Sequence, residues 1–289
     1  MRSFYDARKN LSETWLKTEG VAVMKIGIVG CAGRMGRMLI NAIDQTPNAE
    51  LAGGTERAGS AAVGEDPAMV AGLAPSGLVI GDDPRALFEV SDAVVDFTAP
   101  EATAAHAKLA FETGTTLVPG TTGLSADQQA AIEQAAEKVA VVQAANYSVG
   151  INLLLGLTEQ AAAILGDDYD IEILEMHHRH KVDAPSGTAL ALGQAAASGR
   201  QVDLDNVAQR VRDGHTGERK VGDIGFATLR GGMVVGDHTV MFAADQERIE
   251  MTHKASDRAV FAKGAIRAAL WTQGQAPGLY SMRDVLGFS

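Results

Sequence analysis

The chain has 289 residues, of which 46% are hydrophobic and 21% charged, and its formal net charge at pH 7 is -11. These values are typical of a globular protein that buries a sizeable core in one or two domains, and they exclude disorder throughout. The acidic balance argues against a basic surface for nucleic acid, and no run of about 18 apolar residues predicts a transmembrane helix. The single cysteine, Cys31, permits neither an internal disulfide nor a multi-cysteine zinc site, which favours a cytoplasmic location.

Residues 1–23 differ from the rest of the chain because they mix charged and apolar side chains without a clear period. A signal peptide needs a continuous apolar segment of about 7–15 residues, and this stretch has none. We interpret residues 1–23 as an N-terminal extension, partly helical, and assign them no role.

From Lys25 onward, short apolar runs alternate with segments of helical spacing. An apolar run at 26–29 ends in a glycine loop at 30–36, and apolar residues recur at helical spacing from Met38 to Ile43. The same order repeats further along, with predicted strands at 49–55, 93–97, 116–118 and 139–142 and predicted helices at 100–113 and 125–138. Strands alternating with helices predict right-handed βαβ units and a mostly parallel, Rossmann-like sheet.

After Asn146 this alternation stops. A long apolar helix is predicted at 150–165, and residues 170–176 alternate as a strand with one solvated face would. Further strands are predicted at 225–229, 232–235, 238–243 and 248–252, followed by a helix at 259–271. The chain is therefore predicted to be α/β, with a dinucleotide-binding domain at 24–148, completed by 258–289. A second, α+β domain at 149–257 has a mixed or antiparallel sheet.

The glycine loop is the first motif with chemical meaning. Gly30, Gly33 and Gly36 lie directly after a strand and open a helix, where backbone N–H groups suit a pyrophosphate. Glu56 ends the second strand, where an acid usually binds the adenosine ribose hydroxyls, and Arg57 beside it can accept the 2′-phosphate of NADP. The two together indicate use of both NADH and NADPH, although Arg57 can equally be a solvated charge.

Two further loops follow strands of the same predicted sheet. Ligands of open α/β sheets bind beyond the carboxyl ends of the strands, so these loops are candidates for the nicotinamide pocket. Ordinary turn chemistry accounts for them as well. The residues concerned are Gly120, Thr121, Thr122, Ala144, Ala145, Asn146 and Tyr147.

The segment His177-His178-Arg179-His180-Lys181 is a concentrated positive patch in an acidic protein, which would attract an anionic substrate. It leads into Pro185-Ser186-Gly187-Thr188, which caps a predicted helix whose free N–H groups suit a carboxylate. Together they predict a dicarboxylate site with a histidine able to exchange a proton near neutral pH. Zinc is disfavoured because adjacent histidines on a strand point to opposite faces.

These motifs resemble the 4-hydroxy-tetrahydrodipicolinate reductase family, also called dihydrodipicolinate reductases, from residue 24 to about residue 288. The stretch from His177 to Thr188 is the most specific of them. The similarity covers the glycine loop, Val95-Asp96-Phe97-Thr98, Gly120-Thr121-Thr122-Gly123, residues 145–150, residues 175–190, Gly225-Phe226-Ala227-Thr228 and residues 252–256. Tyr147 stands where phenylalanine also occurs, and residues 1–23 are not part of the family pattern.

The resemblance implies roles for particular residues. It implies that His177 is a proton donor or acceptor, that Lys181 is a second proton donor, and that His178, Gly187 and Thr188 contact the substrate carboxylates; which of His177 and Lys181 delivers the proton stays open. The cofactor-binding residues that it implies are Gly30, Cys31, Ala32, Gly33, Arg34, Met35, Glu56, Arg57, Gly120, Thr121, Thr122, Ala144, Ala145, Asn146 and Tyr147. It further implies NADH or NADPH as cofactor, no metal, a small dicarboxylate substrate, and a homotetramer built through the second sheet, in lysine and diaminopimelate biosynthesis.

Other functions remain open from the residues alone. The basic cluster permits a reductase of another small dicarboxylate, and the glycine loop permits a non-catalytic NAD(P) sensor. A thioester-forming semialdehyde dehydrogenase is disfavoured because its nucleophile would have to be Cys31, which lies in the glycine loop.

Overall fold

A computed structural model describes residues 22–288, so the predicted N-terminal extension lies, up to residue 21, outside the described residues. The strands are β1 (Met24–Val29), β2 (Ala49–Thr55), β3 (Ala93–Asp96), β4 (Thr116–Pro119), β5 (Ala140–Val142), β6 (Asp170–His177), β7 (Ala208–Gln209), β8 (Ile224–Arg230), β9 (Gly236–Ala243), β10 (Arg248–Ala255) and β11 (Gly278–Tyr280). The helices are α1 (Arg34–Asp44), α2 (Pro67–Val70), α3 (Pro84–Val90), α4 (Pro100–Thr113), α5 (Ala126–Ala136), α6 (Val149–Leu165), α7 (Gly187–Gly199), α8 (Leu204–Val207), α9 (Ala259–Trp271) and α10 (Met282–Leu286).

The first sheet is parallel throughout, in the order β11-β5-β4-β3-β1-β2. Its strands are short apolar runs buried on both sides, as parallel strands covered by helices must be. One face packs against α1 and α9, and the other packs against α3, α4 and α5. The chain crosses from β2 on one side of β1 to β3 on the other, so the switch point lies at β1, where an open sheet binds its ligand. The predicted Rossmann-like sheet is confirmed.

The second sheet is mixed, in the order β10-β9-β6-β8-β7. Strand β6 pairs in parallel with β8 and antiparallel with β9, which also pairs antiparallel with β10. The predicted mixed sheet is confirmed, but the strand predicted at 232–235 is wrong. Residues 231–235 form a loop because Gly232, with φ of 53°, reverses the chain before β9.

Strand β6 alternates strictly between buried and partly buried residues, so its two faces have different neighbours. The inner face carries Ile171 and Ile173, which pack into a core that contains residues of α6 and α7. Further along the same face, the apolar side chains give way to Glu175 and His177 at the carboxyl end of the strand. The alternation thus places two polar groups where the core ends.

Helix α6 is the long apolar helix predicted after Asn146. By length and composition alone, the span Val149–Asp168 is apolar enough to cross a membrane. The structure gives it another role, because Leu154 and Ala162 pack into the core of the second sheet. We interpret α6 as a core helix of a folded domain.

The C-terminal segment returns to the first sheet. Strand β11 pairs in parallel with β5, and α9 packs against α1. Gly264 of α9 lies so close to the chain before α6 that a Cβ there would be 1.7 Å from the carbonyl oxygen of Tyr147. This contact holds the segment that connects the two sheets against α9, which packs on the first sheet.

Candidate functional site

The glycine loop connects β1 to α1 and is built from close backbone approaches. Gly30 has a φ of 66°, and a Cβ at Gly36 would lie 2.3 Å from the carbonyl oxygen of Gly30. The loop therefore needs glycine at both positions. The N-terminus of α1 follows at once, with Gly33 as its N-cap and no side chain bonded to its free amides.

Glu56, at the end of β2, reaches the glycine loop. Its Oε1 accepts a hydrogen bond from the Ala32 amide at 2.9 Å. Arg57, the next residue, is exposed. Cys31 is buried under the loop, and burial, with the nearby charge of Glu56, raises the pKa of its thiol to about 12. The thiol therefore stays protonated and packs as an apolar group.

The loop after β4 is held by the residues around it. A Cβ at Gly120 would lie 2.3 Å from the ring of Phe97, and Thr121 accepts a hydrogen bond from Thr103 at 2.7 Å between hydroxyl oxygens. Beside it is a cavity of about 280 Å³ lined by Met35, Phe97, Gly120, Thr122, Ala145, Asn146, Tyr147 and Phe261. Residues predicted from three separate loops thus meet in one cavity.

A larger cavity, of about 630 Å³, lies between the two sheets; we call it the cleft. Its walls combine the loops of the first sheet with the end of β6 and the start of α7. The predicted site residues that line it are Thr122, Ala144, Ala145, Asn146, His177, Lys181, Gly187 and Thr188. The cleft adjoins the smaller cavity, because Thr122, Ala145 and Asn146 line both.

Helix α7 begins at the cleft. Ser186 is its N-cap, and the Ser186 hydroxyl accepts a hydrogen bond from the Ala189 amide at 3.1 Å. The Asn146 side-chain amide donates to the Thr188 hydroxyl at 3.2 Å, which joins the first-sheet loops to this helix N-terminus. The amides of the first turn and the helix dipole favour an anion at this end.

His177 is the last residue of β6, and its side chain is largely buried. Its Nδ1 lies 2.5 Å from Glu175 Oε2. Glu175 also accepts two hydrogen bonds from the Arg230 guanidinium, at 2.8 and 2.9 Å. Burial opposes ionisation of Glu175, but hydrogen bonds from Arg230 and His177 outweigh it and lower the pKa of this carboxyl.

Three other basic side chains, those of His178, Arg179 and Lys181, follow His177 in the chain. Lys181 Nζ lies 2.8 Å from Asp183 Oδ1, an exposed carboxylate. His178 and Arg179 follow β6, where their amides donate to the loop before β9. Desolvation, together with the positive charge of Arg258, lowers the pKa of His178. His178 does not line the cleft, although its neighbours His177 and Lys181 do.

The structure brings together most of the residues predicted for the substrate side and the nicotinamide side, but His178 and Thr121 line neither cavity. Residues 30–34 and Glu56 and Arg57 line neither cavity; they lie at the adjoining glycine loop and the end of β2. Within residues 22–288, no group of three or more His, Cys, Asp or Glu side chains is arranged to hold a metal ion.

Sequence reasoning missed several residues of the site. Glu175 carried a signal, because a strand that alternates with period two places residues 175 and 177 on one face. Arg230 and His238 carried none, since only strand pairing brings them beside β6. The cleft also receives Ser281, Met282 and Arg283 from the C-terminal segment.

Comparison with known proteins identifies the relatives of this chain. Residues 24–147 match the family described as dihydrodipicolinate reductase, N-terminus, and residues 150–286 match dihydrodipicolinate reductase, C-terminus. A 4-hydroxy-tetrahydrodipicolinate reductase of Rhodopseudomonas palustris is 54% identical over 266 residues, which cover 92% of this chain and 98% of the relative. A 4-hydroxy-tetrahydrodipicolinate reductase 1 of Mesorhizobium japonicum is 55% identical over 267 residues, with the same coverage.

A solved structure shares the fold. It is the dipicolinate-bound dihydrodipicolinate reductase from Paenisporosarcina sp. TG-14, with a TM-score of 0.72 and 22% sequence identity. The match covers 90% of this chain and 97% of that one.

Proposed function

This chain belongs to the dihydrodipicolinate reductase family, and we propose that the cleft is where it carries out the family's reaction. The chain is an NAD(P)H-dependent oxidoreductase that reduces 4-hydroxy-tetrahydrodipicolinate to tetrahydrodipicolinate in lysine and diaminopimelate biosynthesis. One observation supports this location above the others. His177, Lys181 and the N-terminus of α7 line the same cavity as the loops that follow the strands of the first sheet.

The residues at the first sheet fit a dinucleotide. Gly30, Gly33 and Gly36 let the loop backbone pack closely around the start of α1, where a Cβ would meet other atoms of the protein. The N-terminal amides of α1, which no capping side chain occupies, suit a pyrophosphate. The Glu56 carboxylate, bonded to the Ala32 amide, lies where it can also accept from ribose hydroxyls. When bound there, the cofactor supplies a hydride to the substrate ring.

Arg57 bears on the choice between the two cofactors. Its guanidinium is exposed beside Glu56, so it is free to approach a 2′-phosphate while Glu56 serves the ribose of NADH. We therefore propose that the enzyme uses both NADH and NADPH.

The start of α7 binds a substrate carboxylate. The amides of Gly187 and Thr188 belong to the first turn of the helix, where no intrahelical acceptor faces them. The cationic group of Lys181, which lines the cleft, would offset the charge of a dicarboxylate, and we propose the His178 ring as a further substrate contact. Binding at this helix end holds the ring in one orientation toward the loops at 120–122 and 144–147.

His177 and Lys181 handle the protons. Loss of water from the hydroxylated ring leaves a conjugated imine, and the electron pair displaced by hydride ends on a ring carbon or nitrogen that must be protonated. Both side chains line the cleft and both donate when cationic. Lys181 must leave Asp183 to do so, and a substrate carboxylate offers it an equivalent partner.

We also propose the chain's organisation from the same structure. The first domain comprises residues 24–148 and 258–289, and the second comprises 149–257. On the second sheet, the face opposite α6 and α7 carries partly or fully exposed Leu174, Leu229 and Met241. Burial of this face between copies would give the homotetramer, whose mass light scattering measures directly. We propose a cytoplasmic location, which agrees with a single cysteine, Cys31, that is free and buried.

The test is a coupled assay. Purified protein is mixed with aspartate semialdehyde, pyruvate and the preceding synthase, and oxidation of NADH and of NADPH is followed separately. We expect rapid oxidation that requires the synthase. No oxidation by folded protein that still binds either cofactor would contradict the proposal and favour a sensor or a reductase of another dicarboxylate.

A further inference from the structure

Glu175 is a buried carboxylate, 1% exposed, whose acceptor positions are all occupied. Its Oε2 faces His177 Nδ1 at 2.5 Å and Arg230 Nη1 at 2.8 Å. Its Oε1 accepts from Arg230 Nη2 at 2.9 Å and from the Ser186 amide at 3.0 Å, with the Thr228 hydroxyl at 3.4 Å. A buried ionised carboxylate is costly unless it is paired and hydrogen-bonded in this way.

We propose that Glu175 is the positioning residue of the reduction, because it orders the His177 ring and the N-terminus of α7 through a single carboxylate. This inference rests on the proposed function, in which His177 donates a proton and α7 binds a substrate carboxylate. No other side chain of residues 22–288 is hydrogen-bonded to both His177 and Ser186.

The first effect of Glu175 is on the two nitrogens of His177. An ionised carboxylate accepts from Nδ1–H, so Nδ1 carries a proton and Nε2 is the nitrogen left for the substrate. Nε2 lies beside Gly236, where a Cβ would be 3.0 Å away, so the glycine leaves room next to it. A second proton on Nε2 would make the ring an imidazolium, whose positive charge lies against the Glu175 carboxylate.

The second effect is on the substrate anchor. Oε1 holds the Ser186 amide, and the Ser186 hydroxyl in turn accepts from the Ala189 amide in the first turn of α7. Ser186 also lies 3.2 Å from His238 Nε2, and the His238 ring contacts the His177 ring edge-on with centroids 5.0 Å apart. Movement of the Glu175 carboxylate would therefore shift the acid and the anchor together.

Arg230 extends this connection to Lys181. Its Nη2 donates to the Asp183 carbonyl oxygen at 2.7 Å, in the loop whose side-chain carboxylate holds Lys181. The guanidinium thus joins Glu175 to the segment that carries the second proton donor.

The test replaces Glu175 by Gln, which keeps the size of the side chain and removes its charge. We expect kcat to fall by about tenfold to a hundredfold, a typical cost of removing a group that orients a functional histidine. The alkaline limb of the kcat pH profile should move to lower pH, while cofactor affinity stays at the wild-type value. Nitrogen NMR of the His177 ring should show loss of the fixed Nδ1 proton.

Other titratable and charged groups near the Glu175–His177 pair can also affect the kcat pH profile. The groups that face the Glu175–His177 pair are Arg230 from β8, His238 from β9, His253 from β10, and Lys181 with Asp183 from the loop after β6. Burial, with the charge of His177 adding to it, lowers the pKa of His238 to about 4. His238 is thus neutral across the working range and does not generate the alkaline limb.

Two further variants separate positioning from folding. Glu175→Asp keeps the charge, so the alkaline limb should return toward its wild-type position even where kcat stays low. Glu172→Gln is the matched control, because Glu172 lies on the opposite face of β6 and also holds two arginines, Arg212 and Arg219. It should lower stability without moving the profile.

The outcomes are distinct. An unshifted profile and an unchanged His177 NMR signal in Glu175→Gln would overturn the inference, whatever happens to Tm or kcat. Failure of wild-type protein to reduce the substrate would instead contradict the proposed function, and the NMR measurement would still decide whether Glu175 fixes the His177 proton.

Discussion

Two buried carboxylate–histidine pairs occupy corresponding places in the two sheets. Asp96 is the last residue of β3 in the first sheet, and its Oδ2 lies 2.8 Å from His106 Nδ1. Glu175, near the end of β6 in the second sheet, lies 2.5 Å from His177 Nδ1. By distance, burial and atom type, the two pairs are nearly the same.

They differ in their surroundings. The His106 ring packs near Phe88 with centroids 6.0 Å apart, and neither the cleft nor the smaller cavity includes it. Asp96 also accepts from Thr98, and its carbonyl oxygen accepts from the Gly120 amide, so this pair stabilises a turn. His177 lines the cleft. A carboxylate–histidine pair therefore indicates chemistry only when the second ring nitrogen has access to a substrate.

The strongest loss of activity is expected from a change beside the second sheet. Lys181→Ala should lower kcat by about a hundredfold to a thousandfold, because it removes a cationic proton donor, while Tm changes little. Lys220→Ala, at an exposed lysine of the same domain, is the control and should retain full activity. Equal losses in both variants would show that overall charge, and not Lys181, is required.

The first-sheet pair should affect stability instead. Burial opposes ionisation of Asp96, but hydrogen bonding to His106 and Thr98 lowers its pKa. The contribution of the ionised Asp96 to the free energy of unfolding is therefore fully present above the ordinary aspartate pKa of about 3.9. It is lost as pH falls below that value.

Asp96→Asn should accordingly lower the free energy of unfolding near neutral pH by about 2–3 kcal/mol, the typical value of hydrogen bonds to a charged group. The difference from wild type should shrink as pH falls below about 4. Denaturant unfolding at several pH values measures both. A difference that does not depend on pH would contradict the assignment of an ionised Asp96.

A substitution at Arg57, beside the first sheet, should affect one cofactor and not the other. Arg57→Ala should raise KM for NADPH by about tenfold and leave KM for NADH nearly unchanged, since only NADPH carries the 2′-phosphate. Steady-state kinetics with each cofactor test this. Equal changes in KM for NADH and for NADPH would show that Arg57 is a solvated charge that does not bind the 2′-phosphate.

The smallest effect is expected at the junction of the two sheets. The buried Tyr147 hydroxyl lies 2.9 Å and 2.5 Å from the carbonyl oxygens of Pro119 and Val142. Tyr147→Phe should cost about 1 kcal/mol, the usual net value of such a hydrogen bond, with kcat unchanged. A large loss of kcat would contradict this and show that the hydroxyl takes part in the reaction.

Much of this arrangement was predictable from local patterns. The alternation of strands and helices predicted the first sheet, and the strict period of residues 170–176 predicted a strand with two different faces. The segment from His177 to Thr188 predicted a cationic group next to a helix N-terminus, and the structure places both in one cavity.

The remainder depended on long-range pairing. Arg230 meets Glu175 only because β8 pairs with β6, and nothing in the sequence of these two residues, which lie 55 positions apart, indicates that register. Arg283 reaches the cleft because β11 returns to the first sheet. The strand predicted at 232–235 failed because Gly232 adopts a left-handed conformation there.

The difference between the two histidines is measured by kcat of His177→Gln and of His106→Gln, in the same coupled assay. We expect kcat of His177→Gln to fall about a hundredfold or more, and kcat of His106→Gln, though this variant is less stable, to stay within about twofold of wild type. Wild-type kcat in His177→Gln, or equal losses in both variants, would contradict this expectation.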